Sequence, residues 1–416
     1  MKTKMLFLFI AVFSFGVFAQ EKVDCIEKEK QFNQMLFERT FDKANQEWSS
    51  IKKSCGTSSE HFCRLGVELL QYNIDVAAAA DKEKTVRTLL EWYDQYDKSF
   101  PENNNGNLVH KAMALSDNKV GSESEIYSYL DAAFQLKKES FTDALALSIY
   151  FDLYYKKYTA SKSTITINQL LEKYFAVNAL LEASATKVPE KKQNCLTAMA
   201  GMKSLMLDLL VCDNLVPYTQ DNFEQNKSNV DWLSSVASIM SERCYAKPVV
   251  ETVCLQLHLL QPTSKSAAYL GKYYTNVLNQ PKAVEYYQLS ASLATTVQEK
   301  SGLLYTLASV LVSTDKAKSR EVILSAIAID PKNSKYLIFL ANLYANATEC
   351  AANDKEKKAI YKLAINTLQK ALLLDSKYKS AIDNLLKNCT KNMGDTAELK
   401  NKSVKIGCWI NETVQF

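Results

Sequence analysis

The chain has 416 residues, 47% hydrophobic and 23% charged, with only 10 Gly and 7 Pro and a formal net charge of +4. Such a composition excludes wholesale disorder, and the scarcity of Gly and Pro excludes a sandwich or barrel of many short strands, whose turns consume those residues. The small net charge leaves no electrostatic case for nucleic acid or an anionic membrane as partner.

The first predicted element is an export signal. Lys2 and Lys4 precede an apolar run from Met5 to Phe18, and Val17-Phe18-Ala19 closes it with small residues at the spacing signal peptidase accepts. Cleavage is expected after Ala19. As a helix the run reaches only about 21 Å, short of a ~30 Å hydrocarbon core, and no later run of comparable apolarity follows. The mature chain, with a formal charge of +2 once Lys2 and Lys4 are removed, is therefore expected in the periplasm or outside the cell, with no membrane insertion.

All ten cysteines remain after processing: Cys25, Cys55, Cys63, Cys195, Cys212, Cys244, Cys254, Cys350, Cys389 and Cys408. An even number in an oxidising compartment predicts several bridges. The alternative is that most are buried free thiols, since Cys is also a common small core residue. In an antiparallel helical hairpin the start of the first helix lies beside the end of the second, which suggests Cys25 with Cys55 and, by the same logic, Cys195 with Cys244.

Amphipathic helical segments then follow at about 27–53, 60–76, 81–98, 123–136, 140–157, 167–185, 191–212, 220–243 and 247–260. Ser122-x-x-Glu125, Ser140-x-x-Asp143, Thr166-x-x-Gln169 and Ser228-x-x-Asp231 read as capping boxes. The stretch "PENNNGN" (101–107) reads as a loop, and "STITI" (163–167) as an extended connection into the helix that Thr166 caps. The stripe Tyr150, Phe151, Tyr154, Tyr155 and Tyr158 reads as inter-helix core rather than a ligand platform.

From residue 264 the pattern becomes periodic. Ala267-x-x-Leu270-Gly271-x-x-Tyr274 is followed by Ala283 and Tyr287, and Leu304-x-x-Leu307-Ala308-x-x-Leu311 by Ile323, Ala326 and Pro331. Leu337-x-x-Leu340-Ala341-x-x-Tyr344 is followed by Ala364, Leu368 and Ala371, and Ile382-x-x-Leu385-Leu386-x-x-Cys389 opens a fourth unit. These frames resemble the tetratricopeptide repeat, and the chain as a whole is similar to exported proteins of that family from Bacteroidota. The resemblance departs from the family pattern at the missing tryptophan, at Ser376 where a closing proline is expected, and at about eleven extra residues within "NATECAANDKEKKAIY". It implies an all-α fold, a right-handed solenoid of stacked antiparallel helical hairpins. The organisation that follows is a signal peptide at 1–19, degenerate helical repeats at 20–263, repeats of this type at 264–392, and a capping tail at 393–416 that docks the apolar side chains of "KIGCWINETVQF".

Residues with a chemical vocation are few. His61, His110 and His258 stand apart, no C-x-x-C, P-loop or nucleophile-elbow pattern occurs, and no metal or cofactor is implied. Glu91, Asp94 and Asp97 share a helical face beside Trp92, Tyr93 and Tyr96. That mixture is the basis of an alternative function, an all-helical carbohydrate-active enzyme.

The main expectation is a scaffold that binds another exported or envelope protein and carries out no catalysis. By the family frame its concave wall comprises Lys272, Asn276, Tyr305, Ser309, Asn342, Asn346, Asp383 and Lys387, or these positions are simply solvated. Asn342 and Asn384 resemble part of a clamp that some family members close on a terminal carboxylate, but Ile338 stands where its lysine belongs.

Overall fold

A computed structural model of the protein describes residues 24–57, 59–160 and 164–416. The expected signal peptide, 1–19, and Ser163 at the start of the extended connection lie outside the described residues. Among those residues the chain is almost wholly helical and forms two compact units that divide between Leu153 and Tyr154.

The first unit contains α1 (Cys25–Phe37), α2 (Phe41–Cys55), α3 (Glu60–Val76), α4 (Lys82–Ser99), α5 (Asn104–Asn118), α6 (Glu123–Lys137) and the greater part of α7 (Ala144–Ala160). The pairs α1/α2, α3/α4 and α5/α6 pack as hairpins. A single helix over 27–53 is not formed. The chain reverses at Glu38–Thr40, where Arg39 takes a left-handed backbone (φ 56°) and Thr40 Oγ1 donates to Met35 O at 3.0 Å. The spacing of Phe37 and Phe41 reads as continuous helix, and neither Gly nor Pro marks the turn.

The expected loop at 101–107 is corrected in the same way. Pro101–Asn103 is a single 3-10 turn and α5 begins at Asn104, because Pro at a first position loses only an amide that has no helical partner. Ser122 caps α6 and Thr166 forms the full capping box. Ser140 and Ser228 do not cap. Asp143 instead accepts from Ala146 N at 2.8 Å and Asn229 from Trp232 N at 3.1 Å.

At the centre of this unit Gly66 of α3 lets two indoles close on one spot. Trp48 and Trp92 meet edge to face at 4.8 Å, Trp92 Nε1 donates to Cys63 O at 2.8 Å, and Phe32 and Phe62 complete the packing. Tyr150 and Phe151 of the aromatic stripe are also fully buried here.

The second unit continues with α8 (Ile167–Lys187), α9 (Lys192–Leu205), α10 (Cys212–Asn226), α11 (Val230–Arg243), α12 (Pro248–Leu260), α13 (Ser264–Asn276) and α14 (Gln280–Leu293). It ends with α15 (Val297–Leu311), α16 (Lys316–Ile329), α17 (Ser334–Ala345), α18 (Asp354–Leu374), α19 (Lys379–Met393) and a hairpin of β1 (Ser403–Lys405) and β2 (Thr413–Gln415). From α12 onward each helix packs mainly on its two chain neighbours, the contact order of a solenoid of helical hairpins, whereas α11 packs on α12 and on α8. Gly271, Ala308 and Ala341 are buried where paired helices cross, and a Cβ on Gly271 would lie 2.9 Å from the ring of Tyr287. Pro331 stands in the turn between α16 and α17.

Three disulfides staple the fold. Cys25–Cys55 joins the ends of the α1/α2 hairpin across a Cα separation of 5.6 Å. Cys244 pairs with Cys212, and not with Cys195, which is a buried free thiol inside α9. The segment read as one helix over 191–212 ends at Leu205, so the hairpin that Cys244 closes begins at Cys212. The third bridge, Cys350–Cys408, ties the tail to the extra residues between α17 and α18. Ile406, Ile410 and Val414 are buried against the last helices, Trp409 stacks on Tyr344 at 6.5 Å, and Arg320 pairs with Glu412.

Two predictions follow from this packing. Gly66→Ala and Gly271→Ala are expected to cost about 1–3 kcal/mol each through overpacking, read as a lower denaturation midpoint with an unchanged slope. Deleting residues 405–416 in a Cys350→Ser background should lower the melting temperature by several degrees, and Ile410→Ala alone should cost about 2–4 kcal/mol. An unchanged melting temperature would show the tail contributes nothing to the fold.

Candidate functional site

The first helices of the last hairpins, α13, α15, α17 and α19, carry the expected wall. Lys272, Asn276, Ser309, Asn346, Asp383 and Lys387 are exposed, and Tyr305 and Asn342 half-buried. Several have local partners. Asn276 Nδ2 donates to Lys272 O at 2.8 Å, Ser309 Oγ to Tyr305 O at 2.9 Å and Asn346 Nδ2 to Asn342 O at 2.9 Å, each closing on its own helix. Asp383 pairs with Lys379 at 3.2 Å. Tyr305 stacks on Tyr336 at 5.5 Å and meets Phe339 edge to face at 5.4 Å. Its truncation would loosen α15 against α17.

A concavity of this unit lies one step earlier. A cleft of about 1040 Å³ is bounded by α8, α9, α11 and α13. It is positioned by a buried bond from Asn178 Nδ2 to Ser235 Oγ at 3.0 Å, which fixes α8 against α11. Ion pairs flank it: Lys203–Glu242 at 2.5 Å and Lys265–Glu182 at 3.9 Å. The hydrogen bond from Lys203 holds the Glu242 carboxyl below its ordinary range against the opposing effect of burial, with Lys203, Arg243 and Lys272 adding positive potential. Tyr269 Oη lines the interior, closed off from solvent with no hydrogen bond of ordinary geometry. Burial raises its pKa, while Lys265 and Ser238 act in the opposite sense.

Sequence reasoning missed this cleft because the repeat frame begins at 264, whereas three of its four helices precede that point. The available signal was weak, consisting of oppositely charged residues scattered over helices that do not adjoin in sequence.

Two of the three carboxylates that motivated an enzyme reading, Asp94 and Asp97, hold a buried lysine. Lys111 is 3% exposed and donates to Asp94 at 2.9 Å and Asp97 at 2.6 Å, and Asn107 Nδ2 donates to Asp97 at 2.6 Å. Burial alone would lower the Lys111 pKa, but the bonds to Asp97 and Asp94 outweigh it and hold the group above its ordinary value. Burial likewise pushes the Cys63 thiol up to about 11 and the Cys254 thiol up to about 12, so neither is a thiolate at neutral pH. Among the described residues, no group of three His, Cys, Asp or Glu could hold a metal ion, and no helix is long and apolar enough to cross a membrane.

No family model and no curated protein matches the chain. Among solved structures it is similar to yeast Tom70, with 11% identity, 88% of this chain and 95% of that chain covered, and a TM-score of 0.31. It is similar to a chain of the APC/C hetero-tetramer Cut9-Hcn1, with 11% identity, coverage of 88% and 73%, and a TM-score of 0.36. The TPR2AB domain of yeast Sti1 in its pHSP90 complex aligns at 15% identity with coverage of 78% and 98% and a TM-score of 0.26. At such TM-scores the paths of the chains differ, and the helical-repeat architecture rests on the packing described above.

Replacing Lys111 by Met should leave Asp97, only 10% exposed, without its cation. The expected cost is about 3 kcal/mol, and Asp97→Asn in the same chain should recover part of it. Additive losses in that double-mutant cycle would show that the pair is not coupled.

Proposed function

We propose that the protein is an exported interaction scaffold of the periplasm or cell envelope that grips an extended or helical segment of another exported or envelope protein. The observation that carries this reading is the cleft of α8, α9, α11 and α13, whose opening is flanked by charged side chains of both signs. A peptide segment could lie along the cleft with its charged side chains meeting Lys203, Glu242, Lys265 and Glu182 and its backbone donors and acceptors meeting the polar lining. The wall formed by Lys272, Asn342 and Lys387 would extend the footprint along the later helices.

Export is supported by the basic and apolar character of residues 1–19 and by three disulfides, which persist in oxidising compartments. The reading invokes no cofactor, nucleic acid or membrane insertion. Of the three carboxylates behind the carbohydrate-active alternative, Asp94 and Asp97 are engaged with Lys111.

The test uses the partner recovered by pull-down from the native envelope. Lys203→Gln with Lys265→Gln should weaken its binding at least tenfold, about 1.4 kcal/mol. Because Lys203 is 33% and Lys265 56% exposed, fold stability should change by less than about 1 kcal/mol. Unchanged affinity in this folded variant would place the partner elsewhere. Loss on Asn342→Ala with Lys387→Ala alone would place it on the later wall.

A further inference from the structure

The first unit holds a second concavity that the proposed function does not use, a cleft of about 780 Å³ between α3, α4 and α5 with Phe41 at its edge. Two pairs of parallel rings line it. Phe41 and Tyr72 stack at 3.7 Å, and Tyr93 and His110 at 6.0 Å. The second pair stands on a rigid base, since Asn107, one turn before His110, is bound to Asp97, which in turn holds the buried Lys111.

The charge in the cleft is one-sided. Along α3 it receives Glu60, Arg64, Glu68 and Asp75. Arg64 is already neutralised by Glu60 at 2.8 Å, and Glu60 also accepts from Tyr96 Oη at 3.1 Å. Asp75 accepts only a long bond of 3.4 Å from Gln71, and Glu68 has no ion pair among the described residues. Burial holds the His110 pKa below its ordinary value, against the pull of Asp143, so the imidazole adds no cation at neutral pH. Two exposed carboxylates therefore face the cleft with no lining cation left to balance them. They lie seven positions apart on one helix, roughly 10 Å along its axis.

We propose that this cleft binds an extended organic dication, two ammonium or guanidinium groups roughly 10 Å apart, with the carbon chain between them laid against the ring pairs. Aromatic faces attract such cations and pack their methylenes, and the carboxylates fix the charged ends. A neutral sugar would use the rings and amides but would leave Glu68 and Asp75 unpaired. Two sources have the required chemistry: a linear polyamine, or a peptide in polyproline II conformation with Lys at i and i+3, about 9 Å apart.

Calorimetric titration of the mature full chain separates them, using spermidine, whose two end ammonium groups have this spacing with a third between them, an N-acetylated Lys-Pro-Pro-Lys peptide and a neutral maltohexaose as probes. Binding of spermidine or the peptide, weakened by added salt and reduced at least tenfold in Glu68→Gln with Asp75→Asn, is the expected result. Both positions are exposed and the replacements keep their shape, so the variant should fold, with the circular dichroism spectrum as the check. Binding of the peptide alone would identify a protein ligand, and of spermidine alone a free polyamine. Two results would overturn the proposal: no binding of either cation, whether or not maltohexaose binds, or equal binding by the double variant.

Discussion

Close approach of paired helices at positions without a side chain is the constraint on which both units depend. Two helices carrying a Cβ at the crossing cannot also admit an aromatic ring there. Gly271 resolves the conflict by leaving the space that Tyr287 fills, and Gly66 does the same for Trp48 and Trp92. The rings bury a large apolar area at the crossing, and most of the stabilisation of an amphipathic helix comes from such burial rather than from its own propensity. Every surface described above is a by-product of this arrangement. Once the inner faces are committed to neighbours, the remaining faces of α3, α11 and α13 are held at fixed separations and can line clefts.

The disulfides obey the same hairpin geometry. Cys25–Cys55 and Cys212–Cys244 each join the start of one helix to the end of the next, across 30 and 32 residues of sequence. Each restricts the unfolded chain by about 3 kcal/mol in the loop-entropy account. Cys350–Cys408 works differently, since it anchors a non-helical tail to the irregular segment between α17 and α18. The extra residues that break the repeat pattern thus have a structural use. They supply the cysteine that holds the tail over the last helices, where Ile406, Ile410 and Val414 would otherwise face water.

Charge is used in two ways that burial separates. Lys111 and Asp97 are buried and coupled, so they specify how α4 meets α5, and losing either partner is expensive. Lys203–Glu242, Lys265–Glu182 and Arg64–Glu60 are partly exposed, contribute little to stability, and are free to exchange partners with a ligand. The Lys111–Asp97 pair braces the cleft of α3, α4 and α5, and the neutral bond between Asn178 and Ser235 braces that of α8, α9, α11 and α13.

Composition and periodicity determined the fold class. Scarce Gly and Pro, the 3.6-residue spacing of apolar positions, and the recurrence of Leu270-Gly271, Leu307-Ala308 and Leu340-Ala341 require helices paired at small residues, whatever their tertiary setting. The hairpin rule likewise singled out Cys25 with Cys55. Turns made without Gly or Pro were decided only by tertiary structure. Arg39 reverses the chain because α1 and α2 pack on each other, and the break between Leu205 and Cys212 moved the partner of Cys244 from Cys195 to Cys212. The candidate surfaces were decided there too. Glu182, Lys203, Glu242 and Lys265, or Phe41, Glu68 and Tyr93, lie on separate helices with no sequence signature in common, and a cleft exists only where packing sets those helices side by side.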